Sequence, residues 1–219
     1  MSKFIEGVYY CMGLINLLLR DPVSFLILTV LLLYSVIFHE LAHGWVAYKM
    51  GDQTAKWMGR LTLNPIKHLD PIGSLMLLIF GFGWAKPVPV NLENIPNRRK
   101  GLIFVSSAGI VTNIICAFIA LLLYKIIEPP QTSMMEQILY IFARINIMLA
   151  AFNLIPIPPL DGSKILMGFT SESVRRFLVQ IEPFGFFIII GLLYIGALNP
   201  VINLLQYLIL FIISLFLLG

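Results

Sequence analysis

Phe25-Leu26-Ile27-Leu28-Thr29-Val30-Leu31-Leu32-Leu33-Tyr34-Ser35-Val36-Ile37-Phe38-His39-Glu40-Leu41-Ala42-His43 is the stretch that decides how this chain folds. Its first fourteen residues are almost wholly apolar, and the five that follow are polar chemistry. A bilayer-crossing helix needs about 20 apolar residues. Histidines four apart lie about one helical turn from each other, so both imidazoles reach one metal ion. A glutamate beside them, turned away from the metal, suits a general base acting on water. The stretch therefore predicts a membrane helix that ends in a zinc-binding, water-using pentapeptide. An ionisable group inside a membrane helix costs roughly 2.5–3.5 kcal/mol on insertion scales, which marks such a cluster as functional.

The remainder of the chain supports the membrane reading. Of 219 residues, 59% are hydrophobic and 12% charged, and the mean hydropathy is +0.92. Soluble domains are about 45–50% apolar and about 25% charged. A single transmembrane domain over residues 1–219 is expected, with a core of about residues 23–167. No cleaved signal peptide is expected, because no basic leader with a small-residue cleavage site precedes the first apolar stretch. Net charge is +4, and its basic residues cluster between spans, which speaks of loop orientation and not of nucleic acid. Cys11 and Cys116 lie in apolar segments and read as inert thiols.

Five stretches have spanning length, the opening one included: Val23–Tyr48, Gly101–Ile127, Ile138–Ile157, Ile181–Leu198 and Val201–Leu218. Phe4–Leu19 is shorter, and is read either as a sixth, tilted span or as an interfacial segment. Arg20-Asp21-Pro22 separates it from the next helix. Ile72–Trp84 is apolar but too short to cross, so a membrane-dipping segment is expected there. Lys86-Pro87-Val88-Pro89-Val90-Asn91 reads as an extended edge strand, with Leu61–Leu63 as its partner. The fold class is thus an all-α polytopic membrane protein of about six helices, with short β-strands between the second and third spans. The loops bearing Lys49, Lys56, Arg60, Lys67, Lys86, Arg98, Arg99 and Lys100, and later Lys164, Arg175 and Arg176, are expected on the cytosolic side. The acidic loop Glu128–Gln137 is expected outside.

A catalytic zinc takes three protein ligands and keeps one position open. Asp161 is the leading third ligand. It follows Asn153-Leu154-Ile155-Pro156-Ile157-Pro158-Pro159-Leu160, whose prolines stop a helix and free its last carbonyls. Asp70, in His68-Leu69-Asp70-Pro71-Ile72-Gly73, competes for the role. His68 reads as an accessory or interface histidine, and Glu182 as helix-start charge. Asn153, Asn113, Val88 and Val90 are candidate substrate contacts, with an interhelical hydrogen bond the competing reading for the asparagines.

His39-Glu40-Leu41-Ala42-His43 together with Asn153–Gly162 resembles the site-2 protease family of intramembrane zinc metalloproteases. Gly59–Gly73 and Phe82–Asn91 resemble its compact bacterial and archaeal members. The resemblance covers roughly Tyr34–Met167. It implies Zn2+ held by His39, His43 and Asp161, with Glu40 as the catalytic base. It also implies transmembrane-protein substrates, regulated intramembrane proteolysis, a prokaryotic cell membrane, and neither a PDZ nor a nucleotide-sensing domain. The competing classes are a membrane metal-binding protein or transporter, and a helix-binding protein that does not cut.

Overall fold

The structure is a computed structural model and describes residues 14–80 and 83–217. In chain order its α-helices are α1 (Leu14–Arg20), α2 (Pro22–Lys49), α3 (Thr54–Trp57), α4 (Pro71–Phe80), α5 (Arg98–Ile127), α6 (Met134–Asn153), α7 (Asp161–Phe169), α8 (Glu172–Ile181), α9 (Gly185–Tyr194) and α10 (Asn199–Leu217). Single 3-10 turns cover Pro65–Lys67, Leu92–Asn94 and Glu182–Phe184. Five of these segments are long and apolar enough to cross a membrane: α2, α5, α6, the continuous Glu172–Tyr194 unit, and α10. They match the expected spans to within a few residues, except that the fourth begins nine residues earlier, at Glu172. Of Phe4–Leu19, residues 4–13 lie outside the described residues, and the rest forms α1.

Local chemistry sets the helix ends. Asp21 caps α2 by accepting the Ser24 N–H, and Pro22 occupies its first turn. Asn97 caps α5 and Ser133 caps α6 in the same way. Helix α6 stops at Asn153 because Pro156, Pro158 and Pro159 carry no N–H to continue it. The ten residues of α4 extend only about 15 Å, half a bilayer core, which agrees with a segment that dips without crossing.

Helix α5 packs most extensively, against α6, α2 and α7, and α2 also touches α6. Small residues line their contacts: Gly109, Ala117 and Ala120 on α5, and Ala143, Ala150 and Ala151 on α6, are all buried. Lipid is as apolar as leucine, so close backbone approach and hydrogen bonding drive such packing. Helix α10 closes one side through Ile209 and Ile213, against Ile110, Ala117 and Ile147.

The expected β-strands do not form: among the described residues there is no strand. The segment Lys86–Asn91 runs as a strap held by side chains and loops. Pro87 and Pro89 remove two donors. Lys86 donates its N–H to the His68 carbonyl at 2.8 Å and accepts from Arg60 at 2.7 Å. The Val88 N–H goes to Glu40 and the Asn91 N–H to Asp52. Too few N–H donors are left for a ladder with Leu61–Leu63.

Candidate metal centre

His39 and His43 share one face of α2 near its C-terminal end, and both are buried. Asp161 is the first residue of α7. Gly162 makes this placement possible, since a side chain there would meet the Leu154 carbonyl oxygen at 2.3 Å. The Asp161 carboxylate oxygen Oδ2 lies 3.0 Å from His39 Nε2 and 3.1 Å from His43 Nε2. The two Nε2 atoms are themselves 3.0 Å apart. Three donor atoms thus form a nearly equilateral triangle drawn from two helices far apart in sequence.

The donor set fits a cation. His39 Nδ1 lies 2.6 Å from Asn113 Oδ1, and His43 Nδ1 lies 2.7 Å from the Val105 carbonyl. Both partners are acceptors, so each Nδ1 carries the proton and each neutral ring presents a bare Nε2 lone pair. Asp161 Oδ2 is buried and accepts no hydrogen bond. Two lone pairs and a carboxylate oxygen within about van der Waals contact repel one another unless a positive ion lies between them. Tetrahedral zinc with bonds of about 2.0–2.1 Å spaces its ligands roughly 3.3 Å apart, close to the triangle observed.

Glu40 adjoins this triangle, with ligand atoms of His39, Glu40 and His43 within 4.8 Å of one another. Its Oε2 accepts the Val88 N–H at 2.8 Å. The strap thereby touches the proposed base directly. A cleft of about 560 Å³ opens over the group, lined by Glu40, Val88, Val90, Asn153, Asp161 and Lys164 among others. The strap's far end is tied down by Asp52. That carboxylate accepts from the Thr54 hydroxyl, from Asn94 Nδ2 at 2.8 Å, from the Asn91 N–H at 2.6 Å and from the Thr54 N–H at 3.1 Å. Burial would raise its pKa, but these hydrogen bonds outweigh that and hold it below the usual carboxylate value.

The remaining sequence candidates separate cleanly. Asp70 is not near the triangle; its Oδ1 accepts the Gly73 N–H at 2.7 Å in the first turn of α4. His68 is fully buried and pairs through Nε2 with the Thr62 carbonyl. Glu182 opens the 3-10 turn before α9. Asn153 lines the cleft, and its Nδ2 bonds back to the Leu149 carbonyl. Asn113, a candidate substrate contact with an interhelical hydrogen bond as the competing reading, is fully buried, and its amide bonds to residues of the neighbouring helices. Sequence reading passed over Ser35 and Asn146, which are also fully buried beside it. The signal was available: both are polar residues in the middle of apolar spans. Lys164 was read only as loop charge, yet it lines the cleft.

Comparison with known proteins agrees with this site. The model of peptidase family M50 matches residues 124–198, which include Asp161. YwhC of Bacillus subtilis (strain 168) is 44% identical over 172 residues, covering 75% of this chain and 78% of YwhC. Rip2 of Mycolicibacterium smegmatis is 30% identical over 173 residues, covering 76% and 66%. MJ0392 of Methanocaldococcus jannaschii is 26% identical over 155 residues, covering 71% and 38%. All three carry zinc metalloprotease in their names. No solved structure matches the chain. The buried His–His–Asp triangle, the five spanning helices and the relationship to YwhC lead to one conclusion: the chain belongs to the site-2 protease family, peptidase family M50, and is a multi-pass membrane zinc metalloprotease.

Proposed function

We propose that the protein is an intramembrane endopeptidase that cuts unwound segments of transmembrane helices, in regulated intramembrane proteolysis at a prokaryotic cell membrane. The observation that carries this reading is the convergence of His39 Nε2, His43 Nε2 and Asp161 Oδ2, beside Glu40. His39, His43 and Asp161 hold the metal. Zinc, when bound, supplies Lewis acidity that activates water and polarises the peptide carbonyl.

Glu40 takes a proton from the attacking water and delivers it to the leaving nitrogen. The Val88 N–H holds one carboxylate oxygen, which fixes the side chain while the other oxygen handles the proton. A substrate helix hides its peptide groups in its own hydrogen bonds, so it must unwind to be cut. The unwound chain lies along the strap, whose carbonyls on the cleft-facing edge, alternate ones of Pro87–Val90, accept its N–H groups. Asn153 supplies a carbonyl oxygen from the opposite wall. The basic loops around the cleft support a cytosol-facing site, from which water reaches Glu40.

The decisive experiment gives purified protein a single-span substrate in detergent, with and without a zinc chelator, beside Glu40→Gln. Cleavage should be abolished by the chelator. In Glu40→Gln it should fall by about 10²–10⁴-fold while zinc stays bound. Full cleavage by Glu40→Gln would overturn the assignment of the base, and zinc flux without cleavage would support a transporter instead.

A further inference from the structure

We propose that Asn113 is a positioning residue for the metal centre, and that Asn146 and Ser35 lock it in the one orientation that presents the His39 lone pair. The evidence is a directional hydrogen-bond chain crossing three helices. It begins at two backbone carbonyls, which can only accept. Ser35 Oγ donates to the Leu31 carbonyl at 2.7 Å. Asn146 Nδ2 donates to the Phe142 carbonyl at 2.9 Å and to Ser35 Oγ at 2.9 Å. With its amide nitrogen so engaged, Asn146 must offer Oδ1 to its neighbour. Asn113 Nδ2 donates to that oxygen at 2.8 Å and to the Ser35 carbonyl at 3.3 Å. Asn113 Oδ1 then faces His39 Nδ1 at 2.6 Å.

Reversing any amide would set oxygen against oxygen. A flipped Asn113 would oppose both Asn146 Oδ1 and the Ser35 carbonyl. The fixed direction therefore runs from Leu31 and Phe142 to a single outcome: His39 carries its proton on Nδ1 and keeps Nε2 bare. Ser35, Asn113 and Asn146 are all 0% exposed, so each polar atom depends on its protein partner and not on bulk water. Gly109, one turn before Asn113 on α5, completes the cradle. A methyl group there would sit 2.5 Å from His39 Cε1 and 2.6 Å from both ring nitrogens. Partners behind a metal-binding histidine set its tautomer and ring angle, and their loss weakens metal binding by about 10–100-fold. His43 has a simpler arrangement, since its Nδ1 proton meets a backbone carbonyl that cannot turn. His39 depends on a side chain, and so needs the chain behind it.

This inference rests on the ligand assignment above, and one experiment separates the two. Full-length protein in lipid nanodiscs is stripped of metal and titrated with zinc against a chromophoric chelator. His39→Ala should lose high-affinity zinc binding; if it does not, the ligand assignment fails. Asn113→Leu should bind zinc about 10–100-fold more weakly, and Asn146→Ala, which touches no ligand, about tenfold more weakly. Nitrogen NMR of histidine-labelled, zinc-loaded protein should show His39 bound through Nε2 with its proton on Nδ1 in the wild type, and should show that hydrogen-bonded Nδ1–H signal shifted or lost in Asn113→Leu and Asn146→Ala. If Asn113→Leu does not fold, Asn146→Ala and Ser35→Ala carry the same readouts. Wild-type zinc affinity and Nδ1–H signal in the folded variants, with His39→Ala defective, would overturn the proposal.

Discussion

The helices around the metal centre and the span that follows them are built on different principles. On α2, α5 and α6 most buried positions are small or polar, among them Ser35, Gly109, Asn113, Ala143, Asn146 and Ala150, with Ile37, Val105, Ile110 and Ile147 the larger apolar ones. On the α8–α9 span they are few, namely Leu178, Gly185 and Ile189, while Phe187 is 71% and Tyr194 91% exposed. Between helices in lipid, burying a large apolar residue gains little, because the alternative solvent is equally apolar. Close approach and matched hydrogen bonds supply the stability. The first region is therefore rigid and specific at its contacts. The second is defined by hydropathy and held by fewer of them. A site that needs three ligand atoms within a few tenths of an ångström belongs in the first region.

The strongest way to break the comparison is to remove the ligand that joins it to the rest of the chain. Asp161→Ala should abolish retained zinc, measured by metal analysis of purified protein, and cleavage with it. Zinc at wild-type stoichiometry would show that α2 alone holds the metal. Next comes a pair of identical changes in the two regions. Gly109→Ala drives a methyl into the His39 ring, and should destabilise by about 1–3 kcal/mol and cut activity at least tenfold. Gly191→Ala, in α9, meets nothing within 4 Å and should be neutral or stabilising by about 0.5–1 kcal/mol. Thermal melts in detergent compare them; equal effects would erase the distinction.

A smaller effect is expected at the strap. Asp52 has its pKa lowered in the folded state, so its contribution to stability is full above the unfolded value of about 3.9 and lost as pH falls below that. Limited proteolysis of residues 83–97 should rise several-fold in Asp52→Ala at neutral pH, and in the wild type only on acidification below about pH 4. Pepsin suits the acid arm. The smallest effect belongs to the surface of the second region. Arg175 and Glu172 form an ion pair at 2.6 Å, with side chains 32% and 48% exposed. Glu172→Gln should change stability by under about 1 kcal/mol, and less at high salt.

Hydropathy made the spans readable because hydrocarbon admits little except apolar helices, so each crossing leaves a mark about 20 residues long. The pairing of His39 with His43 was readable because helix geometry makes a four-residue spacing a spatial neighbour. The strap was misread as a strand because Pro-x-Pro alternation suggests an edge, while the claims of His68, Arg60, Glu40 and Asp52 on its backbone leave no trace in local sequence. Ser35 and Asn146 went unnoticed as a pair because 111 positions separate them.

By itself, then, the sequence determined that this chain crosses a bilayer several times and carries a two-histidine metal motif with a glutamate beside it, since both follow from short-range periodicity and composition. Only the tertiary structure decided that Asp161 and not Asp70 meets the histidines, that Asn113 serves His39 and not the cleft, and that the strap touches Glu40. Those outcomes depend on how helices dock, and docking in lipid is settled by small residues and hydrogen bonds between positions that no sequence period connects.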